Sequence, residues 1–233
     1  MNPQESLDFF ATQLARASKG LEVARESRNL QLAALNTRQM FKGHLMCGLI
    51  KWRQGASPVL HLQDAIRVVS ESSELLRGWD ASFEPIENLP SSRAALLASL
   101  LGLPFEVRWP EKADIAADVH LDYVLAEGRG AADFEQARAI VARLLEGKTT
   151  SLVGETYQTY SEILSAQPGS EALTTLVEKA EVLFAKRGRD AFFSGGDQTE
   201  GGGLDNELVV DYRLGVALKK VGYSGPSIHA WVW

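Results

Sequence analysis

A chain of 233 residues that is 45% hydrophobic and 23% charged is long enough for a packed core and too apolar for disorder. Its net charge of −6 opposes binding to nucleic acid, and its single cysteine excludes an internal disulfide. No basic leader precedes an apolar run, and the longest apolar stretch, 94–105, is too short for a bilayer, so the expectation is a cytoplasmic protein with no membrane partner.

Helical periodicity dominates from the start. Leu7, Phe10, Leu14, Ala17, Leu21 and Ala24 repeat at steps of three and four, which is one apolar helix face. Lys19-Gly20 marks an expected kink. Thr37 is the candidate N-cap of a second helix carrying Met40, Phe41, His44, Leu45, Leu49 and Trp52. Ser57-Pro58 suits an N-cap and first helical position, where proline's missing N–H is harmless. Val59, Leu62, Ile66, Val69, Ser73 and Leu76 then form a clean stripe, and Gly78 is expected to end it. Residues 78–90 read as a loop. Ser91 or Ser92 can cap a short helix over 93–101, stopped by Gly102 and Pro104.

The second half continues in the same style. Phe105 to Trp109 alternates apolar and charged residues and suits a short extended segment. Pro110 opens a helix to about Glu127. Asp133 and Gln136 resemble a capping box ahead of Phe134, Ala137, Ile140, Val141, Leu144 and Leu145. Val153, Tyr157, Tyr160 and Leu164 form the next face, stopped by Pro168-Gly169. Ser170 caps a helix with Leu173, Leu176, Val177, Ala180, Leu183 and Phe184. Leu208–Val221 is apolar nearly all round, as buried helices are. Ser227 to Trp233 alternates, and its two tryptophans are expected to dock on the protein's own body. The fold expected is all-α: about 8–10 helices in antiparallel hairpins, a bundle or short α-solenoid-like array, with a central apolar helix near 208–221. A single helical domain over 1–233 is expected, with a weak subdivision near 78–92.

Ser194 to Asn206 is the one departure from helical patterning. It has five glycines, three carboxylates (Asp197, Glu200, Asp205) and no basic residue. Phosphate cradles need backbone N–H groups and usually a Lys or Arg, so the charge sign opposes that use. Its spacing does not match a calcium loop. It reads as a connector whose Asp205 and Asn206 can cap the following helix. Within that helix, Asp211 falls at the edge of an apolar face. A buried carboxylate must be paired or hydrogen-bonded, and an Arg or Tyr is the expected partner.

Asp114, Asp118 and Asp122 lie at steps of four on one helix ridge. Like charges at that spacing repel by about 0.2–0.5 kcal/mol per pair, so basic groups of a neighbour or partner are expected opposite them. His44, His61, His120 and His229 have no metal-ligand spacing, and Cys47, three residues from His44 on one helix, reads as a buried thiol beside Phe41 and Leu45. No cofactor motif and no metal site is found. Charge is uneven: residues 1–60 hold eight Lys/Arg and four Asp/Glu, and 61–233 hold sixteen and twenty-six. The functional expectation is a non-enzymatic module of immunity or antitoxin type. It neutralises a basic protein partner through an acidic surface that includes Asp114, Asp118, Asp122, Asp197 and Glu200. The alternative is a small helical enzyme with a carboxylate or metal-assisted site around Asp114, Asp118 and Asp211.

Overall fold

The computed structural model describes residues 3–105, 125–126, 152–187 and 211–227. Among them every regular element is a helix, so the fold is all-α. The chain divides into two compact units, Met1–Val107 and Arg108–Trp233, and the 78–92 stretch lies inside the first.

Unit 1 is built on two long helices, α1 (Pro3–Ser27) and α2 (Leu30–Arg53). Phe10, Ala17, Leu21 and Ala24 form α1's buried face, as their spacing requires. The helices are separated only by Arg28, at φ 47, and Asn29. Asn29 is the N-cap: its side chain accepts from the Leu32 N–H at 3.0 Å. This overturns two expectations. Thr37 is not a cap but an interior residue with no exposure, and its hydroxyl donates back to Ala33 O at 2.8 Å. A β-branched hydroxyl can satisfy itself in this way inside a helix. Gly20 is not a kink, since α1 runs through it. A Cβ there would strike the Asn36 side chain, and one on Gly43 would come within 2.8 Å of Leu14. At both glycines the facing side chain of the other helix lies where a Cβ would stand.

A third helix, α3 (Val59–Trp79), packs against α2. The start falls one residue later than expected: Pro58 has helical dihedrals but is the N-cap, with no side-chain cap bond, while the Val59 N–H reaches Ser57 Oγ at 3.4 Å. Its buried stripe is Leu62, Ala65, Ile66, Val68, Val69, Ser72 and Leu76, which places Ser72 rather than Ser73 on the inner face. Ser72 meets Thr37 hydroxyl to hydroxyl at 2.8 Å, a bridge between α3 and α2 within the core. Gly78 does not stop the helix, which continues to Trp79. The segment expected as a loop contains a one-turn helix, α4 (Pro85–Asn88). Arg38 of α2 holds it by donating to Asn88 O at 2.8 Å. Then α5 (Ser91–Leu101) packs on α3 and ends on Gly102 at φ 67. Neither Ser91 nor Ser92 caps it; both are buried, and Ser91 Oγ donates to Pro85 O at 3.2 Å.

In unit 2, α6 (Leu152–Ser165) pairs with α7 (Glu171–Arg187). Ser170 caps α7 as expected, accepting from the Leu173 N–H at 3.1 Å. Leu173, Val177, Ala180 and Leu183 line its buried face. The last described helix, α8 (Tyr212–Lys220), packs on α6 and is buried at every position from Tyr212 to Leu218. A continuous helix over 208–221 is therefore a misreading: Asp211 is extended (φ −86, ψ 100) and is the N-cap of α8. Gly215, with no side chain, and Arg213 share the buried surface with the apolar residues, which hydropathy alone does not anticipate. Lys220 donates to the carbonyls of Leu125 and Ala126. The expected elements at 105–124 and 133–147, and the tail at 228–233, lie outside the described residues.

Candidate functional site

Of the residues singled out by chemistry, Asp114, Asp118, Asp122, Asp197 and Glu200 lie outside the described residues. Asp211 is described, and it is 1% exposed. Its Oδ1 accepts the backbone N–H of Arg213 at 3.0 Å and of Leu214 at 3.1 Å. Its Oδ2 accepts the hydroxyl of Tyr160, itself 1% exposed, across from α6. Two backbone donors and a phenol meet the hydrogen-bonding needs of a buried carboxylate. The negative charge also sits at the positive end of the α8 dipole. The expected tyrosine partner is thus present, and the carboxylate is held as a structural clasp between α6 and α8. Thr156 and Thr159 are buried on the same helix as Tyr160, and the Thr159 hydroxyl donates back to Glu155 O at 2.8 Å.

A second cluster lies in unit 1 on the α2–α3 seam. His44 and His61 face each other with ring centroids 6.1 Å apart. The Nδ1 atom of each is buried and has no hydrogen-bond partner. Burial lowers the proton affinity of both imidazoles, partly offset by Asp64. Each ring also feels a positive group, Arg67 for His44 and Lys51 for His61. Cys47, one turn along α2 from His44, is 4% exposed. Burial raises its thiol pKa, with Lys51 acting the other way. It is a protonated core thiol rather than a nucleophile. No grouping of three or more His, Cys, Asp or Glu suited to a metal ion occurs among the described residues.

A cleft of about 160 Å³ runs between α1, α2 and α3, with Glu22, Arg25, Met40, Arg67 and Glu71 among its lining. It is smaller than the roughly 300–1,000 Å³ typical of small-molecule sites. Its charges are matched: Arg67 bonds Asp64 at 2.8 Å and Glu71 at 3.3 Å. No described helix is long and apolar enough to cross a membrane. Comparison with protein-family models, curated proteins and solved structures finds no match.

The histidine pair is a constellation that sequence reasoning missed. The chain's four histidines carry no motif spacing, and only the packing of α3 on α2 brings His44 and His61 together. The signal available was that His44 and His61 each fall on the apolar side of a helix.

Proposed function

We propose that the protein is a binding module of immunity or antitoxin type that neutralises a basic protein partner through the surface of unit 2. The observation that carries this reading is the segregation of charge between the units. Residues 1–107 hold eleven Lys/Arg and eleven Asp/Glu and are neutral. Residues 108–233 hold thirteen Lys/Arg and nineteen Asp/Glu, so the whole −6 belongs to unit 2. Burial of Asp211 and Arg213 removes one charge of each sign and leaves that excess intact. Exposed Glu171 and Glu178 on α7 contribute to it. An acidic surface of this kind accelerates encounter with a basic partner and selects against acidic ones.

The test is affinity capture on the full-length tagged protein at low and high salt, with mass-spectrometric identification. A basic protein retained in 50 mM salt, released by added salt, and lost from Asp114→Lys/Asp118→Lys/Asp122→Lys supports the reading. A salt-independent partner, or the same capture by the triple variant, overturns the acidic-surface mechanism.

A further inference from the structure

We propose that His44 and His61 form an acid-sensitive latch on the α2–α3 seam: the seam is closed while both imidazoles are neutral and opens when either takes up a proton. This concerns unit 1 and is independent of the partner-binding reading of unit 2.

The argument starts from the hydrogen-bonding inventory of imidazole. A neutral ring has one N–H and one bare nitrogen, whereas the protonated ring has two N–H donors. In both rings the Nδ1 atom is buried without a partner. As a bare nitrogen, such an atom is tolerated. As an N–H on a cation, it leaves a charged donor unmet at a buried position, which closed packing accommodates poorly. The second ring, 6.1 Å away, adds repulsion once either is charged.

The surrounding groups give only partial relief, since burial outweighs the one acid among them. Asp64 of α3 favours the charged form of both rings, but Arg67 holds its carboxylate at 2.8 Å. Arg67 of α3 opposes a charge on His44, and Lys51 of α2 opposes one on His61. Cys47 of α2 is a protonated thiol. No group of α1 or α5 is among the charges acting on either ring; α1's Glu22 and Arg25 lie beside Arg67 and Glu71 in the neighbouring cleft. The backbones are also close here: a Cβ on Gly48 would lie 3.4 Å from His61 and 3.5 Å from Pro58 O.

The sign of the pH effect follows. Both rings bind protons less readily folded than unfolded, so their contribution to stability is intact above the unfolded value of 6.5 and is lost as pH falls below it. If an opened ring titrates at that ordinary value, moving from pH 7.5 to 5.5 multiplies the open population by up to about tenfold per ring.

Cys47 is the chain's only cysteine and is buried beside the latch, which makes it an internal probe. The experiment measures labelling of the native full-length protein by a dithiodipyridine reagent at pH 7.5 and 5.5, normalised to free glutathione at each pH. The expected result is a several-fold rise in normalised rate on acidification, absent in His44→Gln/His61→Gln and retained in His120→Gln/His229→Gln. A wild-type rate that does not rise, or an equal rise in the His44→Gln/His61→Gln protein, overturns the latch. Should that double variant fail to fold, imidazole NMR of the wild type decides. Rings that stay neutral until Cys47 becomes reactive support the latch; rings that titrate near 6.5 while Cys47 stays protected overturn it.

Discussion

Replacing Asp211 by alanine tests the clasp between α6 and α8. Several interactions are lost at once. The cap bonds to the Arg213 and Leu214 N–H groups go, and N-cap deletions cost about 0.5–2 kcal/mol. The bond from Tyr160 goes as well, and a hydrogen bond to a charged group contributes about 1.5–3 kcal/mol. The expected loss is about 2–5 kcal/mol, confined to unit 2. Asp211→Asn is the control: its amide oxygen can still cap α8, so it should lose about 1 kcal/mol or less at the cap and the rest at Tyr160. Tyr160→Phe keeps the cap and should cost about 1.5–3 kcal/mol. The assay is urea unfolding followed by circular dichroism, with hydrogen exchange of peptides spanning α6 and α8 to assign the loss. If Asp211→Ala and Tyr160→Phe losses simply add in the double variant, the two side chains do not act together. An Asp211→Ala protein as stable as wild type would refute the clasp outright.

Other substitutions probe unit 1. Thr37→Val should cost about 1–3 kcal/mol by leaving the buried Ser72 hydroxyl without its partner, and adding Ser72→Ala should recover part of that loss in the same urea assay. Asn29→Ala should cost about 1 kcal/mol and Asn29→Gly only a few tenths, whereas a capping role for Thr37 would make Asn29 indifferent. Gly43→Ala forces Leu14 aside and should cost up to about 2 kcal/mol, overpacking outweighing the helix propensity gained. Gly20→Ala should be near neutral. The Asn36 side chain can swing away, and losing its bond to Leu32 O, about 1 kcal/mol, offsets the gain in propensity of similar size.

The helices were legible because their apolar faces repeat at 3.6 residues, from Phe10–Ala24 to Leu173–Leu183. Their ends were less so, because caps are chosen by local geometry among several competent residues. Thr37 and Asn29 are both competent caps; the sharp joint at Arg28 decides for Asn29, and nothing in the hydropathy of either neighbourhood signals that joint. Glycine was misread for a related reason. Gly20 and Gly78 look like breakers in a one-dimensional pattern, yet a packed partner or simple continuation of the ladder tolerates both. Asp211 shows the mixed case. Its burial and its tyrosine partner followed from the cost of an unmet carboxylate, but its place at a helix start did not, because the sequence is largely apolar on both sides of that position. The His44–His61 pair was invisible because it depends on the register of two helices.

The joint between α1 and α2 also bears on how the protein comes to be folded. Two residues, Arg28 and Asn29, connect helices of 25 and 24 residues that pack along one seam. Contacts near the joint have small sequence separation, so little loop entropy opposes the first of them, and each later pair zips outward from it. This hairpin lies wholly within the first 53 residues of the chain. During synthesis it can close before α3 emerges, offering the face of α2 that carries Thr37, His44 and Gly48 as a template for the next helix.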